Sequence, residues 1–121
     1  MSPPQHPNRS EEPSGPRYDA RLALSCRRGS SPGPVLHALQ ELRSVIDDRL
    51  RSELGPRYDR HNAQSVGTDK LMVTLTLRAA TPADAIRFAG MAAGNLVELL
   101  TDVRADIELS GAALVVRAQE P

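Results

Sequence analysis

Aromatic residues are almost missing from this 121-residue chain: Tyr18, Tyr58 and Phe88 are the only three, and there is no tryptophan. Any core must therefore be aliphatic, and a surface that stacks nucleic-acid bases on rings has little to draw on. Cysteine is as scarce. Cys26 stands alone, so no internal disulfide can form. No apolar stretch near Met1 resembles a signal peptide, which makes the reducing cytoplasm the expected compartment. Charge of one sign is missing too: fifteen basic and fifteen acidic residues cancel, leaving no global field toward nucleic acid or an anionic membrane. The most apolar run, Phe88 to Val97, is about half the length that crosses a bilayer. A membrane span is not expected.

What is present suffices for one domain. Apolar residues make up 40% of the chain and charged residues 25%, and two independent cores in this length would each bury too little surface. Residues 1–16 hold five prolines and no Val, Leu, Ile or Phe, the composition of a disordered N-terminal tail. Residues 17–118 read as a single α+β domain.

Within it, Tyr18, Ala20, Leu22, Leu24 and Cys26 alternate with Asp19, Arg21, Ser25 and Arg27, the pattern of a half-buried strand. Ser30-Ser31-Pro32-Gly33-Pro34 breaks it, and proline at a first helical position predicts a helix from Pro34. Val35, Leu39, Leu42, Ile46 and Leu50 recur at helical spacing through Leu54, where Gly55-Pro56 stops the helix. The polar stretch Arg57 to Val66 fits an edge strand, with Gly67-Thr68-Asp69 as the turn of a hairpin. Leu71, Val73, Leu75 and Leu77 then alternate with Met72, Thr74, Thr76 and Arg78 in a strong strand pattern.

Thr81-Pro82-Ala83-Asp84 reads as a helix cap, Thr81 accepting from the first turn and Asp84 favouring the positive helix end. This second helix runs to about Leu100. A last strand is predicted from Val103 through Leu109, bulged by Gly111 and continued to Arg117. The order strand, helix, strand, strand, helix, strand predicts a ferredoxin-like βαββαβ two-layer sandwich: an antiparallel four-stranded sheet with two helices on one face.

A short echo accompanies this order. Gly15-Pro16-Arg17-Tyr18-Asp19 recurs as Gly55-Pro56-Arg57-Tyr58-Asp59, which either chance or a duplicated half-domain would produce.

Chemistry has few visible carriers. His37 precedes Glu41 by one helical turn and reads as a surface i, i+4 contact. Cys26 falls on the inward face of its strand, where a thiol packs as a small hydrophobe. No nucleophile elbow or phosphate-cradling glycine loop occurs, so no catalytic residue, cofactor or metal site is assigned. The densest polar cluster is Tyr58, His61, Asn62 and Gln64, candidates for binding a small ligand, although a regular strand would send His61 to one face and Asn62 and Gln64 to the other. The open sheet face would show Asp19, Arg21, Arg27, Thr74, Thr76, Arg78, Asp106 and Glu108, with no ring on which a base could stack. The second helix is apolar nearly all round, which implies burial on more than one side. Its small residues Ala89, Gly90, Ala93 and Gly94, with Val97, would let another backbone approach closely.

The first functional expectation is thus a non-enzymatic interaction or assembly module, a homo-oligomer joined through the second helix or a sheet edge. The alternative is a small-molecule-binding protein or enzyme with a dimeric α+β barrel-like sheet pocket. A nucleic-acid-binding accessory protein comes third.

Overall fold

A computed structural model describes residues 15–26, 33–66, 70–103 and 109–119. The first strand, β1 (Arg17–Cys26), buries every second residue from Tyr18 to Cys26. Alternate residues of a strand point to opposite faces, so these five line one face. Residues 1–14 of the expected tail lie outside the described residues. Gly15 and Pro16 lead into β1, and the Pro16 carbonyl accepts a hydrogen bond from the Ala79 N–H.

The single helix expected over 34–54 is two: α1 (Gly33–Glu41) and α2 (Arg43–Leu54). Leu42 breaks them with φ −92° and ψ 11°, although the bonds from the Leu42 N–H to Ala38 and from the Ile46 N–H to Leu42 carry the ladder across. Apolar steps of four residues overshoot one helical turn by about 40° each. The break re-aims the second half, and Val35, Ala38 and Leu39 of α1 and Ile46, Leu50 and Leu54 of α2 are all buried. Gly55, at φ 62° and ψ −140°, then turns the chain in a conformation that side chains strongly disfavour.

The edge strand β2 (Tyr58–Val66) pairs with β3 (Lys70–Arg78), and β3 pairs with β1. The predicted turn at 67–69 lies outside the described residues. Helix α3 (Pro82–Val103) begins as its residues dictate, with Pro82 first and the Asp84 N–H donating to Thr81 Oγ1 at 3.1 Å. It extends to Val103, which was expected to open the last strand. That strand, β4, is Leu109–Ala118, and Asp106 and Glu108 lie outside the described residues, as does Arg27. The expected irregularity near Gly111 is present: Ser25 faces Gly111 while Cys26 faces Leu109, so Ser110 is the extra residue. Its hydroxyl donates to the carbonyls of Ser25 and Cys26.

The described chain is therefore α+β, with three α-helices and a four-stranded antiparallel sheet in the order β2-β3-β1-β4. One sheet face, carrying Leu22, Leu24, Leu71, Val73, Leu75 and Leu77, packs with the helices into a core of aliphatic residues plus Tyr18, Tyr58 and Cys26. The two echoed segments both enter strands, and both tyrosines sit opposite Leu77 from either side of β3. A half-domain duplication would map β1 onto β3, whereas the echo relates β1 to β2. The duplicated-half reading therefore fails.

Candidate functional site

The site begins with one extra residue. Tyr58 pairs with Leu77 and Arg60 with Thr76, so Asp59 is bulged out of the β2–β3 ladder. A spacing of three normally places strand residues on opposite faces, and the bulge cancels that. Tyr58 and His61 consequently point together into the helix layer, only 5% and 4% exposed. Asn62, opposite Thr74, points to the open face.

Helix α2 supplies the third member. Arg43, Asp47 and Arg51 fall four residues apart and so share a side of the helix. The Tyr58 hydroxyl donates a short hydrogen bond to Asp47 Oδ1. His61 Nδ1 lies 2.9 Å from the same oxygen and 2.8 Å from the Tyr58 oxygen. Since the phenol spends its proton on Asp47, Nδ1–H must be the donor of the ring, shared between Asp47 and Tyr58. Nε2 is left outside this network. No buried side-chain nitrogen or oxygen among the described residues lacks a hydrogen bond, so Nε2 is not fully buried, and His61 lines two cavities. Arg51 stacks over the Tyr58 ring at 5.7 Å.

The electrostatics follow from this packing. Burial disfavours an ionised Asp47, but hydrogen bonds from Tyr58 and His61, together with the charge of Arg51 and of His61 when it is protonated, outweigh burial and hold its pKa below the ordinary value. Burial, reinforced by the hydrogen bond to Asp47 and by its charge, pushes the Tyr58 phenol well above its usual range. Burial also lowers the His61 pKa, aided by Arg43, and Asp47 offsets this only in part. The resting cluster is thus a carboxylate, a neutral phenol and a neutral imidazole.

Two cavities adjoin it. The larger, about 460 Å³, is open and is lined by Arg43, Arg60, His61, Asn62, Thr74, Thr76, Asp19 and Gln119. The smaller, about 70 Å³, lies beside Leu39, Gln40, Arg43, His61, Asn62 and Ala63. At the far wall of the larger one, Asp19 Oδ1 accepts from Gln119 Nε2 at 2.8 Å and from the Thr76 hydroxyl at 3.3 Å. Chemically, the arrangement offers one ring nitrogen held in a fixed tautomer beside several hydrogen-bond donors. Among the described residues, no three His, Cys, Asp or Glu side chains converge as metal ligands would.

Of the four residues singled out by sequence, the structure unites Tyr58 and His61 and sets Asn62 on the rim. Gln64 faces Met72 farther along β2 and lines neither cavity. Asp47 and Arg43 escaped notice because they lie away from the apolar stripe of their helix. Their four-residue spacing with Arg51 was the available signal. His37 and Glu41 form the surface pair expected of them, and Cys26 is buried in the core.

The second helix departs from expectation. Ala89 and Ala93 are buried, but Gly90 and Gly94 face outward and nothing lies within 4 Å of a Cβ placed on either. Ile86 is 60% exposed and Met91 47%. Among the described residues the helix is buried on one side only, and its outer side mixes Ile86, Gly90, Met91 and Gly94 with Arg87, Glu98, Thr101 and Asp102. A groove of about 450 Å³ beside it is lined by Leu22, Ala93, Gly94, Val97, Glu98, Ala112 and Leu114. Among the described residues, no helix is long and apolar enough to cross a membrane.

No family model matches the chain, and no curated protein or solved structure matches it.

Proposed function

We propose that this chain binds a small polar ligand on the open sheet face, in the cavity bounded by β2, β3, β1 and the start of α2. The observation that carries this reading is the Asp47–Tyr58–His61 network: a hydrogen-bonded set that fixes His61 on the lining of a cavity of about 460 Å³. Ligand sites commonly combine a rigid wall with a few convergent polar groups in a cavity of this size. The supporting frame is a ferredoxin-like split βαβ arrangement, for which the order β2-β3-β1-β4 and the uniformly antiparallel pairing speak. Its helices cover one face, and the cavity takes Asp19, Asn62 and Thr74 from the open face and Arg43 and His61 from the helix side.

The test is nuclear magnetic resonance of the labelled chain titrated with a panel of polar metabolites. Binding should move the amide signals of Arg60, Asn62 and Thr74 and the ring signals of His61. A panel that leaves those signals in place, or moves only signals of α3 and β4, removes this reading.

A second reading, self-association, is favoured by a separate observation. The groove between α3 and β4 is mainly apolar and lies beside a sheet edge, and Ile86 and Met91 are further exposed apolar side chains of α3. The partner this surface fits is a second copy. An antiparallel edge strand can pair with its own copy about a two-fold axis, which brings the two grooves side by side.

A further inference from the structure

We propose that the ligand of the open-face cavity is a small multivalent oxyanion, a di- or tricarboxylate or a phosphate-bearing metabolite, gripped by Arg43 and Arg60. This deepens the preceding reading and rests on it. The argument is an inventory of charge. Two guanidiniums line the cavity, together with one carboxylate, Asp19. Asp19 is already engaged by Gln119 and Thr76. Asp47, one helical turn from Arg43, accepts from both Tyr58 and His61. The ion pairs among the described residues are Arg17–Asp59, His37–Glu41, Asp47–His61 and Arg87–Asp84. Arg43 and Arg60 belong to none of them.

Two guanidiniums against one carboxylate leave the described lining with an excess of positive charge, which favours anions over cations, and the forked guanidinium donors match the oxygens of carboxylate and phosphate. Asn62 and Thr74 add an amide and a hydroxyl on the same lining. The field of Arg43 is felt by its surroundings, since it opposes protonation of His61 and favours ionisation of Tyr58. A bound anion would cancel that field, so the ring of His61 would take up a proton more readily when the cavity is filled. Two separate forked donors, rather than one, suit a ligand with more than one anionic group. A neutral sugar would gain nothing from the excess positive charge of the lining.

The experiment titrates the full chain, at constant ionic strength, with inorganic phosphate, citrate, glycerol, putrescine and a single-stranded oligonucleotide, followed by calorimetry and by the amide signals of Asn62 and Thr74. Saturable binding of citrate or phosphate that moves both amides, and weakens about tenfold or more in Arg43→Gln and in Arg60→Gln, supports the proposal. Citrate alone would assign a carboxylate ligand and phosphate alone a phosphorylated one. Both arginines are exposed, so the variants should keep the native spectrum elsewhere. Glycerol or putrescine binding at those amides, unaffected by either substitution, overturns the oxyanion and keeps the pocket. Binding of the oligonucleotide without the small anions overturns the small-molecule class. If no probe moves Asn62 or Thr74, both readings fall.

Discussion

At the scale of residues, the informative asymmetry lies in the Asp47–Tyr58–His61 network. Asp47 is its only acceptor with charge; the Tyr58 hydroxyl has no other acceptor in the network, while His61 Nδ1–H keeps the Tyr58 oxygen. Asp47→Ala should therefore cost about 1–3 kcal/mol, the cost of stranding one buried donor. Tyr58→Phe removes a donor without stranding one and should cost only about 1 kcal/mol. Chemical denaturation of the two variants checks the order, and equal losses would contradict the proton assignment. The same network fixes the response to pH. Asp47 and His61 both have lowered folded pKa values, so the unfolded chain binds more protons and stability falls with falling pH. For His61 the loss starts below about 6.5, and for Asp47 below about 3.9. Tyr58 is shifted upward, so its contribution is complete below about 10 and is lost as the pH rises beyond that. Stability should thus be flat between about 7 and 10 and fall on either side. His61→Gln should abolish the slope just below 6.5, while unchanged slopes would place the titration elsewhere.

At the scale of elements, three glycines make opposite predictions. Gly55 holds a positive φ with open space around it, so Gly55→Ala is opposed by backbone strain alone, about 1–3 kcal/mol. Gly90 and Gly94 are helical, exposed and equally uncrowded. Replacing either by alanine should stabilise the isolated chain by up to about 1 kcal/mol through helix propensity. Thermal melting of the three variants reads both signs, and destabilisation by Gly90→Ala would mean that something packs on it. What could be read from the sequence divides along the same physical line. Apolar alternation placed β1 and β3, and the Thr81 cap placed the start of α3, because those signals are local. The break at Leu42 carries neither glycine nor proline, and the bulge at Asp59 has no glycine, so each exists only through long-range packing. That bulge decides the candidate site: without it Tyr58 and His61 would face apart. Hydropathy alone makes α3 apolar all round, because it counts Ile86, Met91 and the outward glycines with Ala89 and Leu96; only the fold separates the covered side from the exposed one.

At the scale of the whole molecule, two surfaces on opposite flanks make independent demands. The cavity beside β2 is polar and asks for a ligand. The groove beside β4 is mainly apolar, lined by Leu22, Ala93, Gly94, Val97, Ala112 and Leu114 with Glu98. Exposed aliphatic residues that cluster along a sheet edge are a liability for a monomer unless they meet a partner. Because β1 carries Asp19 toward one site and Leu22 toward the other, the two surfaces share a strand but no lining residue. They should therefore separate under mutation. Light scattering on the eluting peak, at rising concentration, should give twice the chain mass for the native protein. Val97→Glu, which puts a charge into the groove, should return it to the chain mass and leave the Asn62 and Thr74 signals where they were, since neither residue lines that groove. A native chain that stays at the monomer mass at every concentration removes self-association while leaving the cavity reading intact. A dimer unaffected by Val97→Glu would move the contact to another part of the surface.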